Sequence, residues 1–203
     1  MYEMNPILAI LLAYLVGAIP FGLLIARAQG VNIRTQGSGN IGATNVLRIL
    51  GKKWGIITLL LDALKGYLPT LLYSSLMNGS AGQVLAVGVA TVIGHTFPVY
   101  IGFKGGKGVA TSAGMLLALA PEAIGVGLLV WILCMIIWRI VSLASIVAAL
   151  AVALTAWVVP TAWWAERLLI TLISALIIWL HRSNVVRLLQ GNEHQFKKKG
   201  GLK

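Results

Sequence analysis

The sequence predicts an all-α, polytopic integral membrane protein, and three observations carry that expectation. Of 203 residues, 59% are hydrophobic and only 10% charged, and the mean hydropathy is +0.91; one soluble core cannot bury that much apolar surface. The apolar residues gather in seven runs. Lys and Arg gather in alternate gaps between the runs, the sidedness expected of loops on two faces of a bilayer. At roughly 20 residues per span, about seven transmembrane helices take some 140 residues and leave about 60 for loops and tails. One transmembrane domain over 1–203 is therefore expected, with a mobile basic tail over 191–203.

The runs lie at about 4–26, 54–77, 81–101, 108–120, 123–138, 142–159 and 163–180. The first is long enough to span. Ala26-Arg27-Ala28 has the small-x-small form of a signal-peptide cleavage site, but no positive n-region precedes it, so the run reads as a retained helix. The second carries Asp62 and Lys65 and ends at Asn78-Gly79-Ser80, and the third ends at Gly94-His95-Thr96-Phe97-Pro98. The fourth, Gly108 to Ala120, would reach only about 20 Å as a helix against the ~30 Å hydrocarbon layer. It is the short or broken member, and its N-terminus would aim free amides and a positive dipole end at the glycines before it. Pro121-Glu122, Arg139 and Glu166-Arg167 stand near the starts of the last three.

The first gap holds Arg27, Arg34, Arg48, Lys52 and Lys53; the third holds Lys104 and Lys107; the fifth holds Arg139; the tail holds Arg182, Arg187 and Lys197-Lys198-Lys199. The second and fourth hold no cation, and in the sixth Arg167 stands beside Glu166. This alternation predicts the N-terminus outside and the C-terminus in the cytoplasm. It also accounts for the formal charge of +11, so the expected partner is a lipid bilayer and not nucleic acid. Cys134, the single cysteine, lies mid-span and excludes an intramolecular disulfide or a Cys-based metal cluster.

Two segments carry the chemistry: Gly37-Ser38-Gly39-Asn40-Ile41-Gly42-Ala43-Thr44-Asn45 and Gly102-Phe103-Lys104-Gly105-Gly106-Lys107-Gly108. Bare amides and fixed cations are what a site needs to hold phosphate. Gly37 to Gly42 formally fits G-x-G-x-x-G, with Asp62 about 20 residues on, but no strand precedes it and Asp62 lies inside a membrane run. Nor is the second segment a Walker A loop, since Gly108 stands where Ser or Thr would follow Lys107. Gly37 and Gly39 permit positive φ, Ser38 and Asn40 add short polar groups, and consecutive amides could then converge on an anion. A short helix from Thr44 as N-cap to Gly51 as C′ residue would put Asn45 and Arg48 on one face. The alternative is a flexible connecting loop with Arg48 at lipid headgroups.

Two readings stand for Asp62 and Lys65, three apart in the second span: they neutralise each other and lock helices together, or they line the site. Two stand for His95, a general base or a hydrogen-bonded structural group. Lys104 and Lys107 are positive-inside markers or phosphate ligands, and the Gly-Gly-Lys-Gly setting of Lys107 favours the second. Arg139 and Ser142 open the sixth span, while His181, Arg182 and Asn184 close the seventh, with His181 and Asn184 on one helical side. Together they put phosphate-competent groups on one membrane face. No metal cluster and no Ser-His-Asp or Cys-His set is visible, so no cofactor, no metal and no covalent acyl-enzyme is expected.

Residues 37–48, Asp-Ala-Leu-Lys-Gly at 62–66 with Pro69, and Gly-His-Thr-Phe-Pro at 94–98 running into Phe-Lys-Gly-Gly-Lys-Gly-Val-Ala-Thr at 103–111 closely resemble the bacterial acyl-phosphate:glycerol-3-phosphate acyltransferase (PlsY) family. The resemblance covers nearly the whole chain, in order. It implies a multi-pass enzyme of the bacterial inner membrane, active site facing the cytoplasm, that makes lysophosphatidate from acyl phosphate and sn-glycerol 3-phosphate in phospholipid biosynthesis. The resemblance places Ser38, Gly39, Asn40, Thr44, Asn45 and Arg48 in a first site motif, Lys65 and Gly66 in a second, His95, Lys104, Gly105, Gly106 and Lys107 in a third, and Ser142, His181 and Asn184 at the pocket's border. With the reading of the residues themselves, Gly37, Ser38, Gly39, Asn40, Thr44, Asn45, Arg48, Lys104, Gly105, Gly106, Ser142 and His181 are expected at substrate phosphate, His95, Lys107 and Asn184 in catalysis, and Asp62, Lys65 and Gly66 in support. Ile41 stands where the family often has proline, which loosens the turn but leaves the amides in place.

With no covalent set visible, direct transfer is the simpler reading, with His95 or the departing phosphate as base, and a functional link to a soluble enzyme that forms acyl phosphate is expected. No His-x-x-x-x-Asp pattern, the mark of acyltransferases fed by acyl-CoA or acyl-carrier protein, is present. Activity is expected to persist in chelator. The rivals are a transporter of a phosphorylated metabolite, which would show paired halves and a midplane site, an enzyme acting on finished phospholipid, and a non-catalytic membrane partner.

Overall fold

Pro20 divides the first apolar run into two helices, α1 (Pro6–Ala18) and α2 (Phe21–Ala28), because proline has no N–H to continue the ladder. The computed structural model describes residues 4–77, 79–158 and 163–196; Asn78 and the Lys197-Lys198-Lys199 run lie outside the described residues. After a 3₁₀ turn at Ile33–Thr35 come α3 (Ala43–Leu50), α4 (Lys52–Leu76) and α5 (Ala81–Thr96). A second 3₁₀ turn at Val99–Ile101 leads to α6 (Val109–Leu119), α7 (Pro121–Ile137), α8 (Val141–Val158), α9 (Trp164–Leu180) and α10 (Arg182–Leu189). No strand occurs among the described residues, so the all-α expectation holds.

All seven apolar runs recur as helical stretches, but not all reach the length of a span. Pro6–Ala28, Lys52–Leu76, Ala81–Ile101 and Val141–Val158 are long and apolar enough to cross a membrane. The pair α9 and α10, bent by 55° at their junction, makes a fifth if taken as one. Helix α6, with 11 residues, rises only about 16 Å, which agrees with its expected shortness; α7 is also below span length.

The chain forms two compact units, one ending at Leu119 and the other beginning at Ala120. In the first unit α1 packs on α5, while α4 packs on α3, α5 and α6. Helix α4 is polar inside and apolar outside: Thr58, Asp62, Lys65, Gly66 and Thr70 are buried, whereas Leu60, Leu68, Leu72 and Leu76 are exposed. That reversal of a soluble helix suits a lipid surround, where leucine gains nothing by turning inward and polar groups need protein partners. Small residues allow the close packing. A Cβ at Gly66 would run into the Thr111 carbonyl, and one at Gly114 into the Ala63 carbonyl, so α4 and α6 cross with almost bare backbones. In the second unit α8 packs on α7 and α9 and buries a stripe of Ala144, Ser145, Ala148, Ala149 and Ala156.

Candidate functional site

In the first unit Asn45 organises the first glycine-rich loop. It is 1% exposed, and its amide nitrogen donates to the carbonyls of Asn40 (2.9 Å), Gln36 (3.0 Å) and Ile33 (3.3 Å). Its Oδ1 accepts from the Ser38 N–H at 2.9 Å and lies 3.5 Å from Arg48 Nη1. Gly37 and Gly39 take positive φ, 58° and 69°, which lets the chain wrap closely around one side chain. Asn45 therefore shapes the loop from within, with its amide turned to backbone and not outward to an anion.

The expected amide cradle is rearranged accordingly. The Ser38 N–H goes to Asn45, the Gly39 N–H to the Gln36 carbonyl (3.0 Å) and the Gly42 N–H to Asn40 Oδ1 (2.8 Å). Thr44 is not the N-cap. Gly42, extended at ψ 164°, takes that place, and α3 starts at Ala43, because the Asn40 side chain already holds the Gly42 amide. Gly51 ends α3 with φ 87°, its N–H on the Leu47 carbonyl. What the loop turns outward is the exposed Ser38, with Thr44 and Arg48 half-buried beside it on α3.

The second glycine-rich loop folds back on the end of α5. Gly105 N–H donates to the Thr96 carbonyl (3.0 Å) and Gly106 N–H to the His95 carbonyl (3.1 Å), so these two amides are also engaged within the fold. The amides that α6 leaves without an intrahelical acceptor are those of Val109, Ala110 and Thr111, because its ladder begins with Ser112 N–H on the Gly108 carbonyl at 2.7 Å. The free amides of this stretch therefore stand at the start of α6, next to Lys107, and not at Gly105 and Gly106. Arg34 joins the loops, its Nη2 donating to the Lys104 carbonyl at 2.8 Å. Lys104 is exposed and Lys107 half-buried.

Beneath the second loop lies a buried charged cluster. Lys65 Nζ is 2.8 Å from Asp62 Oδ1 and donates to the Ile19 carbonyl at 2.7 Å, at the break between α1 and α2. Its ammonium also faces the Phe21 ring, 5.4 Å from the centroid. His95 Nδ1 stands 3.6 Å from the same Asp62 oxygen, which lacks an aligned hydrogen bond. All three residues are buried; Lys65 pairs with Asp62 and ties α4 to the break between α1 and α2, while His95 faces Asp62 at 3.6 Å. Thr96 Oγ1, Thr111 Oγ1 and Ser112 Oγ are buried without a hydrogen-bond partner among the described residues. The hydroxyls of Thr96 and Ser112 flank Gly108, 3.5 and 3.6 Å from where its Cβ would stand.

In the second unit Ser142, His181 and Asn184 are buried, and Glu193 gathers two of them. Its Oε1 accepts from Ser142 Oγ (3.0 Å) and Asn184 Nδ2 (2.8 Å), and its Oε2 pairs with Arg187 Nε at 2.7 Å. Burial pushes the Glu193 carboxyl up, but the hydrogen bonds from Asn184, Arg187 and Ser142 and the Arg187 charge outweigh it and hold the group below the ordinary glutamate value. His181 and Asn184 do not share one continuous helix: His181 sits at the bend, its N–H closing α9 and its carbonyl accepting the Asn184 N–H at 2.8 Å. The His181 Nδ1 lies 2.8 Å from the Ile177 carbonyl, which makes Nδ1 the protonated nitrogen and Nε2 the acceptor in the neutral ring. The start of the expected mobile tail is tied down: Phe196 N–H donates to the Arg139 carbonyl (2.9 Å) and Gln195 to that of Trp138 (2.9 Å).

Sequence reasoning singled out neither Arg34 nor Glu193, each of which ties polar groups together in its own unit. Arg34 looked like one more positive-inside residue. Glu193 had a signal, because the chain has only five Asp and Glu, and a carboxylate in so basic a tail needs a partner. No group of three or more His, Cys, Asp or Glu able to hold a metal occurs among the described residues.

Residues 7–191 match the family model described as glycerol-3-phosphate acyltransferase. Curated glycerol-3-phosphate acyltransferases from Geotalea daltonii and Aquifex aeolicus are 46% and 44% identical, covering 96% and 95% of this chain and 99% and 100% of their own lengths. Two crystal structures of PlsY (YgiH), an integral membrane glycerol 3-phosphate acyltransferase, are similar in fold. The glycerol 3-phosphate form is 44% identical with a TM-score of 0.89, covering 95% of this chain and 96% of that one. The lysophosphatidic acid form is 43% identical with a TM-score of 0.86, covering 95% of each.

Proposed function

This chain belongs to the glycerol-3-phosphate acyltransferase family, and on that footing we propose that its donor is acyl phosphate and its product 1-acyl-glycerol 3-phosphate. It is an integral membrane enzyme of phospholipid biosynthesis. The proposed reaction forms an ester bond between the 1-hydroxyl oxygen of sn-glycerol 3-phosphate and the acyl carbon. The bond from that carbon to phosphate breaks, and inorganic phosphate leaves.

An acyl phosphate is already an activated mixed anhydride, so the enzyme needs mainly to orient two phosphorylated partners and to stabilise developing negative charge. The observation that carries this reading is the Arg34 bond to the Lys104 carbonyl. It ties the loop bearing Ser38 and Arg48 to the loop bearing Lys104 and Lys107, and so gathers hydroxyl and cationic groups in one unit. Arg48, Lys107 and the first turn of α6 hold the acceptor phosphate, and Ser38 with Thr44 contacts the donor phosphate. The departing phosphate takes the hydroxyl proton, since the ring of His95 is enclosed between Asp62 and Gly106. A single transmembrane domain in the bacterial inner membrane, with these loops facing the cytoplasm, fits the cations that mark them.

The test is inorganic phosphate release from palmitoyl phosphate by the purified chain in detergent or lipidic phase, with and without glycerol 3-phosphate, alongside Arg48→Ala and Lys107→Ala. The expected result is release that depends on glycerol 3-phosphate, yields lysophosphatidate and collapses in both folded variants. Folded protein that releases nothing from acyl phosphate refutes the donor assignment.

A further inference from the structure

His95 is the least accommodated part of the machinery as a reacting group, because both edges of its ring already face protein. It is 6% exposed in the last turn of α5. Its Nδ1 faces Asp62 Oδ1 at 3.6 Å, an oxygen that is buried and has no aligned hydrogen bond of its own. On the other edge, Nε2 and Cε1 lie nearest to the place a Cβ would occupy on Gly106, close enough that no side chain fits there. The backbone repeats the contact. The His95 carbonyl accepts the Gly106 N–H at 3.1 Å and the Thr96 carbonyl accepts the Gly105 N–H at 3.0 Å. The Asp62 oxygen is in turn fixed by Lys65, whose other bond reaches the Ile19 carbonyl.

We infer that His95, oriented by Asp62, is a positioning residue for acceptor binding: its ring is the floor on which Gly106 rests, and it sets the course of the chain from Lys104 through Lys107 into the amides of α6. The inference rests on the assignment of that loop to the acceptor phosphate. With Nδ1 turned to the carboxylate, the ring presents its Nε2 edge to the loop, and a glycine is required above it because any Cβ would strike the imidazole. Asp62 and Lys65 then act on the substrate at two removes, as the buried pair that keeps the imidazole upright.

The experiment compares His95→Asn, Gly106→Ala and the double variant as full-length protein, reading KM and kcat for each substrate and the binding of glycerol 3-phosphate by calorimetry. A positioning role predicts KM for glycerol 3-phosphate raised by about tenfold or more in each single variant, kcat at saturating acceptor within about threefold, and KM for palmitoyl phosphate unchanged. In the double variant the shorter asparagine side chain leaves room for the new methyl. The two effects should then combine to much less than their product, as expected for residues in direct contact. Gly106→Ala perturbs the loop without touching the buried charges, and if His95→Asn does not fold, His95→Gln takes its place in the same comparison with Gly106→Ala and the double variant. A kcat that falls about a hundredfold with KM unchanged, or single effects that simply multiply, overturns the inference. If the parent chain binds glycerol 3-phosphate but transfers no acyl group, the proposed reaction fails while calorimetry on the variants still scores the inference. If the parent does not bind glycerol 3-phosphate, the inference falls as well.

Discussion

Replacing Asn45 by alanine removes the side chain around which the first glycine-rich loop is wound. Three short bonds disappear: Asn45 Nδ2 to the Asn40 and Gln36 carbonyls, and Ser38 N–H to Asn45 Oδ1. At about 1 kcal/mol net for each, with a further cost for backbone groups left without partners, the loop loses about 3–5 kcal/mol of local stability. Since about 1.4 kcal/mol is a factor of ten in an equilibrium, 3 kcal/mol lowers the ratio of ordered to disordered loop about a hundredfold. The expected outcome for Asn45→Ala is kcat/KM for palmitoyl phosphate down by about 10- to 100-fold, by phosphate release in the presence of glycerol 3-phosphate. Trypsin should cut faster after Arg34, while the melting temperature of the helical unit changes little. Asn45→Asp is the matched control: it keeps the size and the acceptor for Ser38 but turns a carboxylate toward three carbonyls, and it should be no better than alanine. An Asn45→Ala enzyme with kcat/KM within twofold of the parent, and the same cleavage rate at Arg34, would refute the reasoning.

Gly66→Ala pushes a methyl into the Thr111 carbonyl and should cost about 1–3 kcal/mol by overpacking, visible as a lower melting temperature in detergent. Lys65→Met leaves Asp62 buried beside His95 without its ammonium partner and should destabilise by about 3–5 kcal/mol. Adding Asp62→Leu should recover much of that loss, and a double variant no more stable than Lys65→Met would count against the pairing. Glu193 has a depressed carboxyl pKa, so its contribution is fully present above the unfolded glutamate value of about 4.3 and is lost as pH falls through the lower folded value. The protection of α10 amides relative to their intrinsic exchange rates should therefore fall on acidification below that point, and Glu193→Gln should remove that fall.

The fold was legible where one physical rule dominates. Apolar runs of span length and the scarcity of charge set the helices, and even the shortness of α6 could be read from Gly108 and Pro121. The break at Pro20 was not read, although the proline is plain in the sequence, because hydropathy is blind to a missing N–H inside an apolar run. At the site, residue types showed that Gly37 and Gly39 would take positive φ. They did not show which way amides point: Ser38, Gly105 and Gly106 looked like open donors and are bonded to Asn45, Thr96 and His95. Those partners are set by tertiary contact, which spacing does not encode. Lys65 reaching the Ile19 carbonyl across 46 residues of sequence was hidden for the same reason.

That last contact bears on how the protein is made. The ammonium of Lys65 can donate three bonds, and its neighbours are Asp62, the Ile19 carbonyl and the Phe21 ring. Two of the three belong to the kink left by Pro20, which leaves the ribosome well before α4. Asp62 enters the membrane on the same helix and pairs with Lys65, and the kink adds the Ile19 carbonyl and the Phe21 ring as the partners that complete the lysine's surroundings once α4 docks. Straightening it with Pro20→Ala should therefore show as a weaker hold between the first segment and α4, read as a lower melting temperature of the finished protein in detergent.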